Sequence, residues 1–599
     1  MQRIRKVVEI LADRGKRGLP VERVYRYLWN EDLLIEAYAR IGKNDGATTR
    51  GVDRETVDGM SLEKIDTIAQ VIRSNNWHWT PVRRVEIPKP KGGTRPLGLP
   101  KWSDKLVQQA LRALLEPYYE PQFSRFSFGF RRGLSCHHAL DHIRHRWVGT
   151  KWFIEGDITK CFDRIDHSVL LDIVREKIHD PRVIKLIRKM LEAGHLEGWK
   201  YYPSLSGTPQ GGILSPLLAN IYLDRLDKFV EHVLLSQYTR GRRRRANTTY
   251  DQLARKVKSR DRHKLTSEET TEIYKQLRSL PSQDMFDPDY RRLWYVRYAD
   301  DFLLGFIGPK SEAEEIRSLL RDFLASALKL ELSVEKTRVS HAQEEGARFL
   351  GYEIRVSHGD TKQTVNSHGV RKRSVNGNVA LLVPREVVAK RISALCKRGK
   401  PVHKTELTHL SDYWIVSLYQ GQYRGLVNYY KMANNVAKRL NHLRRVMEVS
   451  LLKTLASKHK STVTKVARRL RTKVETETGH VHAMQVVVPR EGKEPLIATF
   501  GGLSLRRERL SPATAFVPNF LLGDADLIER ITATECALCG ATDVPIEVHH
   551  LRRLRDVRKG KEPWQQLMIA MRRKTLAVCR RCHYDIHKGA YDGPRVRDG

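Results

Sequence analysis

The sequence lacks any apolar run of about 18 residues, the shortest that reads as a membrane-spanning helix. It also lacks an apolar signal core at its start, where Met1 to Leu19 mixes Lys and Arg with Glu9 and Asp13. Cysteine is scarce: seven in 599 residues, four of them in two C-x-x-C pairs. That distribution excludes a disulfide framework and points to a reducing compartment and a metal. Cys136, Cys161 and Cys396 are scattered and read as buried or inert thiols. Acidic residues are outnumbered, 69 against 108 Lys and Arg, for a formal charge of +39. Phosphate neutralisation dominates nucleic-acid affinity, so such an excess asks for a polyanionic partner. An anionic membrane surface is the rival, and we expect no membrane partner.

With 40% apolar residues the chain can bury several cores, and its length suggests about three to five domains. The most informative segment is Tyr298-Ala299-Asp300-Asp301. It follows the apolar run Leu293-Trp294-Tyr295-Val296 and precedes Phe302-Leu303-Leu304-Gly305-Phe306, which reads as strand, tight turn, strand. Adjacent carboxylates repel one another, and a divalent cation relieves that cost. Hard oxygen ligands suit Mg²⁺, which also binds substrate phosphates. Alone, an Asp-Asp pair reads as a solvated turn. A second apolar strand, Phe153 to Ile158, carries Asp157, and it continues as Thr159-Lys160-Cys161-Phe162-Asp163.

Between the acid sites lies Gly207-Thr208-Pro209-Gln210-Gly211-Gly212-Ile213-Leu214-Ser215-Pro216. The three blocks, in this order, resemble the palm of a reverse transcriptase. Ile87 to Gly98 resembles the fingers hairpin of the reverse transcriptase/maturase encoded by group II introns. Phe128 to Gly133, Leu332 to Thr337 and Phe349 to Tyr352 match further family segments.

The resemblance implies an α+β multidomain protein: a right-hand polymerase with an antiparallel palm sheet, a helical thumb and a small ββα-metal module. It implies that Asp157, Asp300 and Asp301 bind two Mg²⁺ for attack of a primer 3′-hydroxyl on an α-phosphate. Lys89, Lys91 and Arg95 would face the incoming triphosphate, the arginine bidentately. Gln210 would lie beside the nucleotide, Lys336 near the triphosphate, and Phe162 where a bulky residue excludes a ribose 2′-hydroxyl. Deoxynucleotides are the implied substrates. Phe162 also reads as a core aromatic, and Lys89 and Lys91 as solvated hairpin charges, with no choice between them as ligands. Asp163 and Asp166 read as capping or surface residues.

Residues 1–80 read as an N-terminal extension, with Leu33, Leu34, Ala37, Tyr38 and Ile41 at helical spacing. Thr48 to Asp53 resembles the extension of non-retroviral reverse transcriptases. Fingers and palm span 81–355, interrupted by a basic insertion at 238–288 that carries Arg240 and Arg242 to Arg245. That arginine cluster reads either as solvated or as an RNA-backbone contact. Residues 356–378 read as an exposed loop. Residues 379–480 carry helical patterns: a stripe of Leu410, Trp414, Ile415, Leu418 and Tyr419, a second helix from Leu426, and Leu451 beginning or continuing a third. The segment resembles the maturase domain, or thumb, whose basic face can follow folded RNA by shape. Residues 481–530 take the position of a DNA-binding segment, with Val486 to Val488 and Ile497 to Phe500 as candidate strands.

The C-terminal module, 531–599, holds Cys536, Cys539, Cys579 and Cys582, a spacing that indicates a structural Zn²⁺ site. Glu547-Val548-His549-His550, His583 and His587 resemble an HNH endonuclease. By that match His550 is the general base, and His549 and His587 hold one Mg²⁺ or similar ion. His583, one helical turn before His587, is a further ligand candidate. The family's central asparagine is replaced by Arg573-Lys574-Thr575, which leaves the residue orienting His550 unassigned.

The implied function is a multifunctional intron-mobility protein: maturase, polymerase and nicking endonuclease. Its partners would be group II intron RNA, target DNA and deoxynucleotides, with a homodimer left open. The expected location is a bacterial cytoplasm near the nucleoid, with an organelle as the alternative. The rivals are a splicing factor with vestigial sites, a reverse transcriptase of a defence or diversity-generating system, and a plain homing endonuclease.

Overall fold

The computed structural model describes residues 2–89, 92–197, 200–204, 206–208, 211–258, 265–284, 287–333, 335–359, 363–365, 371–373, 375–476, 479–508, 524–552, 562–571 and 573–589. Helix α1 (Gln2–Lys16) buries Ile4, Val7, Val8 and Leu11. Helix α2 (Glu31–Ile41) starts at Asn30, whose side chain accepts from the Leu33 N–H, and it buries Leu33, Leu34, Ala37, Tyr38 and Ile41. Helix α3 (Leu62–Arg73) is capped by Ser61 in the same way. Both α1 and α2 pack on α4 (Trp102–Tyr119), which is buried on nearly every face.

Between α3 and α4, strands β1 (Val82–Pro88) and β2 (Thr94–Leu99) form a hairpin that sets Arg95 opposite Ile87. Its tip closes through Lys89 N–H to the Gly93 carbonyl at 2.9 Å, with Gly92 and Gly93 at φ of 94° and 76°. Glycine adopts such angles without the Cβ penalty.

The central sheet contains β3 (Trp152–Asp157), β4 (Arg292–Tyr298), β5 (Asp301–Ile307) and β6 (Arg338–His341), in the order β6-β3-β5-β4, all antiparallel. Ile154, Tyr295 and Leu304 join one core, Phe153, Val296 and Leu303 another. Burial on both faces explains the near-continuous apolar runs. Helix α5 (Ser215–Phe229) contributes Leu218, Tyr222 and Leu226 to the first core.

Residues 356–378 are not all loop: Gln363–Val365 pairs antiparallel with Arg371–Arg373. A short polar hairpin of this kind lacks the apolar alternation that signals a strand. Helix α6 (Asp412–Tyr430) starts at Ser411 and runs unbroken through Leu426, so the expected second helix is the end of this one. Its buried residues are Ile415, Val416, Tyr419, Tyr423, Val427 and Tyr430, while Trp414 and Leu418 stay exposed. Helix α7 (Val436–Lys458) contains Leu451, and α8 (Val463–Leu470) follows. Strands β7 (Arg471–Thr476), β8 (Gly479–Arg490) and β9 (Lys493–Gly501) form an antiparallel sheet that packs on α6 and runs across residue 480.

The C-terminal module has helix α9 (Ala525–Ile531), the strand pair β10 (Ile546–His550) and β11 (Thr575–Cys579), helix α10 (Pro563–Ala570) between them, and helix α11 (Arg580–Lys588). Its own core is small, built from Leu538, Ile546, Trp564, Met568, Leu576, Val578 and Ile586. Leu527, Ile531 and Val548 instead join the core of the N-terminal helices. The module is therefore docked on the N-terminal extension. No helix among the described residues is long and apolar enough to cross a membrane.

Candidate active sites

Asp157 ends β3 and Asp301 begins β5, and the two are direct partners in the sheet register. Asp300 lies between β4 and β5, after Ala299 in a left-handed conformation with φ of 58°. Three carboxylates thus converge at one end of the sheet. Close packing fixes their positions. A Cβ on Gly156 would stand 2.1 Å from the Phe302 ring, and one on Gly129 would stand 2.2 Å from the Ala299 nitrogen.

The cluster holds more negative charge than its surroundings solvate. Desolvation, then Asp300, then a hydrogen bond shared with Asp157 push the Asp301 carboxyl up to about 7. Desolvation and Asp157 also raise Asp300, against the opposing pull of Arg95 and Lys336. Lys336 Nζ donates to Asp157 Oδ2 at 2.8 Å, and that bond raises the ammonium above its ordinary value. The loop carrying Lys336 is tied back by the Ser333 N–H, which donates to the Asp157 carbonyl at 2.9 Å. Such crowding is what a divalent ion with oxygen ligands relieves, so the residues fit one.

Phe162 sits in the helical turn Cys161–Arg164, edge-on to Phe130 with ring centroids 6.0 Å apart. The Phe162 carbonyl accepts from the Thr208 N–H at 2.7 Å. A Cβ on Gly211 would lie 2.3 Å from the Gly98 carbonyl oxygen, so this segment presses on β2. Lys89 occupies the hairpin tip, exposed. Lys91 and Gln210 lie outside the described residues. Asp166 caps the helix His167–Arg175 through the Val169 N–H, and Asp163 is exposed.

Sequence reading missed the support beneath the turn. Arg297, fully buried, donates from Nη1 to the Ala299 carbonyl at 2.8 Å, one residue before Asp300. Its other donors reach Asp227 Oδ1 at 2.8 Å and Oδ2 at 2.6 Å, and Asn220 Oδ1 at 3.2 Å. Tyr295 donates to Asp227 Oδ1 at 2.7 Å. The available signal was one charge in an apolar strand, a position that demands a partner.

The second site is in the C-terminal module. The sulfurs of Cys536, Cys539, Cys579 and Cys582 lie within 4.8 Å of one another. Burial opposes ionisation of Cys536, but backbone N–H groups from Cys539, Cys579 and Leu538 outweigh it and hold this thiol below its ordinary value. Four sulfurs so arranged fit a tetrahedral soft or borderline ion, which would take them as thiolates.

Nearby, ligand atoms of His549, His583, His587 and Asp58 also lie within 4.8 Å of one another. His549 is buried; its Nδ1 meets Asp58 Oδ1 at 3.2 Å, and its Nε2 has no hydrogen-bond partner. The His583 Nδ1 lies 2.6 Å from Glu547 Oε2, which leaves Nε2 facing the cluster. Burial opposes charge on His583, but Asp58 and Glu547 outweigh it and hold the ring up at about 9. These donors fit a divalent ion, whose binding would displace that proton.

His550 points its Nδ1 to the Val548 carbonyl at 2.9 Å, which leaves Nε2 as the acceptor nitrogen. Burial first of all lowers this ring to about 4. Main chain thus orients His550 where an asparagine was expected. Thr575, opposite His550 in the register, instead accepts from Arg530. The Tyr38 hydroxyl lies 3.3 Å from His550 Nε2. Neither Tyr38 nor Asp58 was foreseen, because nothing local links them to residues about 500 positions later.

Comparison with known proteins agrees with this geometry. The model for reverse transcriptase (RNA-dependent DNA polymerase) matches residues 87–240. That for type II intron maturase matches 379–487, and that for AI2M/AI1M-like HNH endonuclease matches 536–583. The group II intron-encoded protein LtrA of Lactococcus lactis subsp. cremoris is 39% identical over 94% of this chain and 96% of its own length. The chain belongs to the group II intron-encoded proteins. Other relatives are a putative COX1/OXI3 intron 1 protein of Saccharomyces cerevisiae, 30% identical over 94% of this chain and 68% of its own, and protein YkfC of Escherichia coli, 30% identical over 62% and 89%. This group II intron-encoded protein is therefore a multifunctional enzyme with reverse transcriptase, maturase and HNH endonuclease domains, and it binds intron RNA.

Proposed function

We propose that the protein holds intron RNA in its splicing-competent fold, nicks target DNA and copies the intron from the nicked end. In this reading 81–355 are fingers and palm, the helices from 379 onward are the maturase thumb, 481–530 contact DNA, and 531–599 cut it. The observation that carries the polymerase assignment is the register pairing of Asp157 with Asp301, with Asp300 in the adjoining turn.

Asp157, Asp300 and Asp301 would hold Mg²⁺. Two ions bound there would stabilise the attacking and leaving oxygens of the displacement. Arg95 and the Lys89 tip would neutralise the triphosphate of a deoxynucleotide. Phe162, braced by Phe130, would crowd a ribose 2′-hydroxyl. Lys336 would hold Asp157 in place. In the C-terminal module the four cysteines would hold a structural Zn²⁺, and His549, His583 and His587 an ion of the Mg²⁺ type. There His550 Nε2 would take a proton from the attacking water. Host location near a bacterial nucleoid and a homodimer belong to this proposal as well.

The test uses the intron ribonucleoprotein on its DNA target. Wild type should nick and then extend. Asp300→Asn with Asp301→Asn should nick without extending, and His550→Ala should extend only a pre-nicked primer. Loss of both activities in either variant, with normal folding, would contradict the separation of sites.

A further inference from the structure

We propose that Asp58 is a protein ligand of the endonuclease metal, supplied to the C-terminal module by the N-terminal extension. The inference rests on the reading that the histidine cluster holds that metal.

Asp58 Oδ2 lies 2.7 Å from His587 Nε2, and Oδ1 lies 3.3 Å from His583 Nε2 and 3.2 Å from His549 Nδ1. One carboxylate thus reaches all three imidazoles. His583 Nε2 and His587 Nε2 are themselves 3.2 Å apart. His549 adds the independent sign of a ligand: it is 3% exposed, and its Nε2 makes no hydrogen bond. A buried imidazole left unsatisfied is costly unless something binds it. Three imidazoles and one carboxylate form a mixed donor set suited to a divalent first-row ion.

The placement of Asp58 is built into the fold. Its segment runs antiparallel beside β10: the Gly59 N–H donates to the Val548 carbonyl at 3.1 Å, and the Val548 N–H to the Met60 carbonyl at 2.9 Å. The flanking Val57 and Met60 are fully buried. The His550 N–H donates to Asp58 Oδ1 at 2.7 Å, which fixes the carboxylate from the strand side. Gly59 has φ of 74°, and a Cβ there would meet His583 Cε1 at 3.3 Å, so the backbone passes close over the cluster. At the rim, Arg580 bridges Glu63 of α3 and Glu547 of β10. The nuclease site is thereby assembled from two ends of the chain, and a metal-loaded module requires the docked extension.

The test is Mn²⁺ binding to the full-length protein, followed by electron paramagnetic resonance. It is done in the Asp300→Asn, Asp301→Asn background so that two of the three polymerase acids do not contribute. Asp58→Asn keeps an oxygen that can accept from the His550 N–H but removes the charge. It should weaken Mn²⁺ by about tenfold or more and alter the spectrum, in a protein that still melts cooperatively before metal is added. His587→Ala serves as the reference. If His587→Ala weakens Mn²⁺ and Asp58→Asn does not, Asp58 is no ligand and the inference is overturned. Unchanged affinity together with faster nicking would make Asp58 a plug, which also overturns it. If neither variant changes Mn²⁺ binding, the histidine-cluster reading itself is wrong.

Discussion

Asp227 grips Arg297 with both carboxylate oxygens, at 2.8 and 2.6 Å, and neither side chain touches solvent. The pair stands under the acid turn because the same guanidinium donates to the Ala299 carbonyl. Removing one partner leaves an uncompensated buried charge, so Asp227→Asn should cost about 3–5 kcal/mol of stability. Replacing both partners, Arg297→Met with Asp227→Leu, should restore most of the melting temperature. It should not restore primer extension, because the turn has lost its donor. Thermal melts beside extension rates check this. Full extension by the double variant would show that the turn holds itself.

Phe162 should govern sugar selection. Phe162→Ala removes the ring that packs on Phe130 and opens space beside the helical turn Cys161–Arg164. Discrimination against ribonucleotides should fall by about 10- to 100-fold, with deoxynucleotide use retained. Competition assays with paired nucleotides measure it, and unchanged discrimination would reduce Phe162 to a core aromatic.

The acid cluster makes a pH prediction. The Asp301 carboxyl is raised from 3.8 to about 7, so its contribution to stability is full below about pH 4 and is lost as pH rises through about 7. Without metal, Asp301→Asn should flatten that part of the stability profile. Metal binding requires the ionised carboxylate, so below about pH 7 half-saturating Mg²⁺ should rise by about tenfold per pH unit. Mg²⁺ titrations of primer extension at pH 6 and pH 8 test the sign.

The four cysteines should separate the activities. The module's own core is small, and a structural metal contributes folding free energy to such a unit. Cys582→Ser, or zinc chelation, should abolish nicking while extension on an RNA template continues. Measuring both on one preparation decides it.

The polymerase acids were legible because each sits at the end of an apolar strand, and the metal module because C-x-x-C spacing and paired histidines are local patterns. Arg297 was half legible, as a charge in an apolar strand whose partner, Asp227, lies in helix α5. Asp58 and Tyr38 were not legible, since pairing across nearly the whole chain leaves no periodicity. Helix α6 runs unbroken through Gly421 and Gly425, residues that punctuate a sequence as breaks would. Both face open space, where glycine costs a helix only modestly.

The polymerase site is tested most directly by primer extension on an RNA template with deoxynucleotides and Mg²⁺, wild type beside Asp300→Asn with Asp301→Asn. Extension by the wild type alone is the predicted result. Equal extension by the folded double variant would place the polymerase chemistry elsewhere and contradict the account.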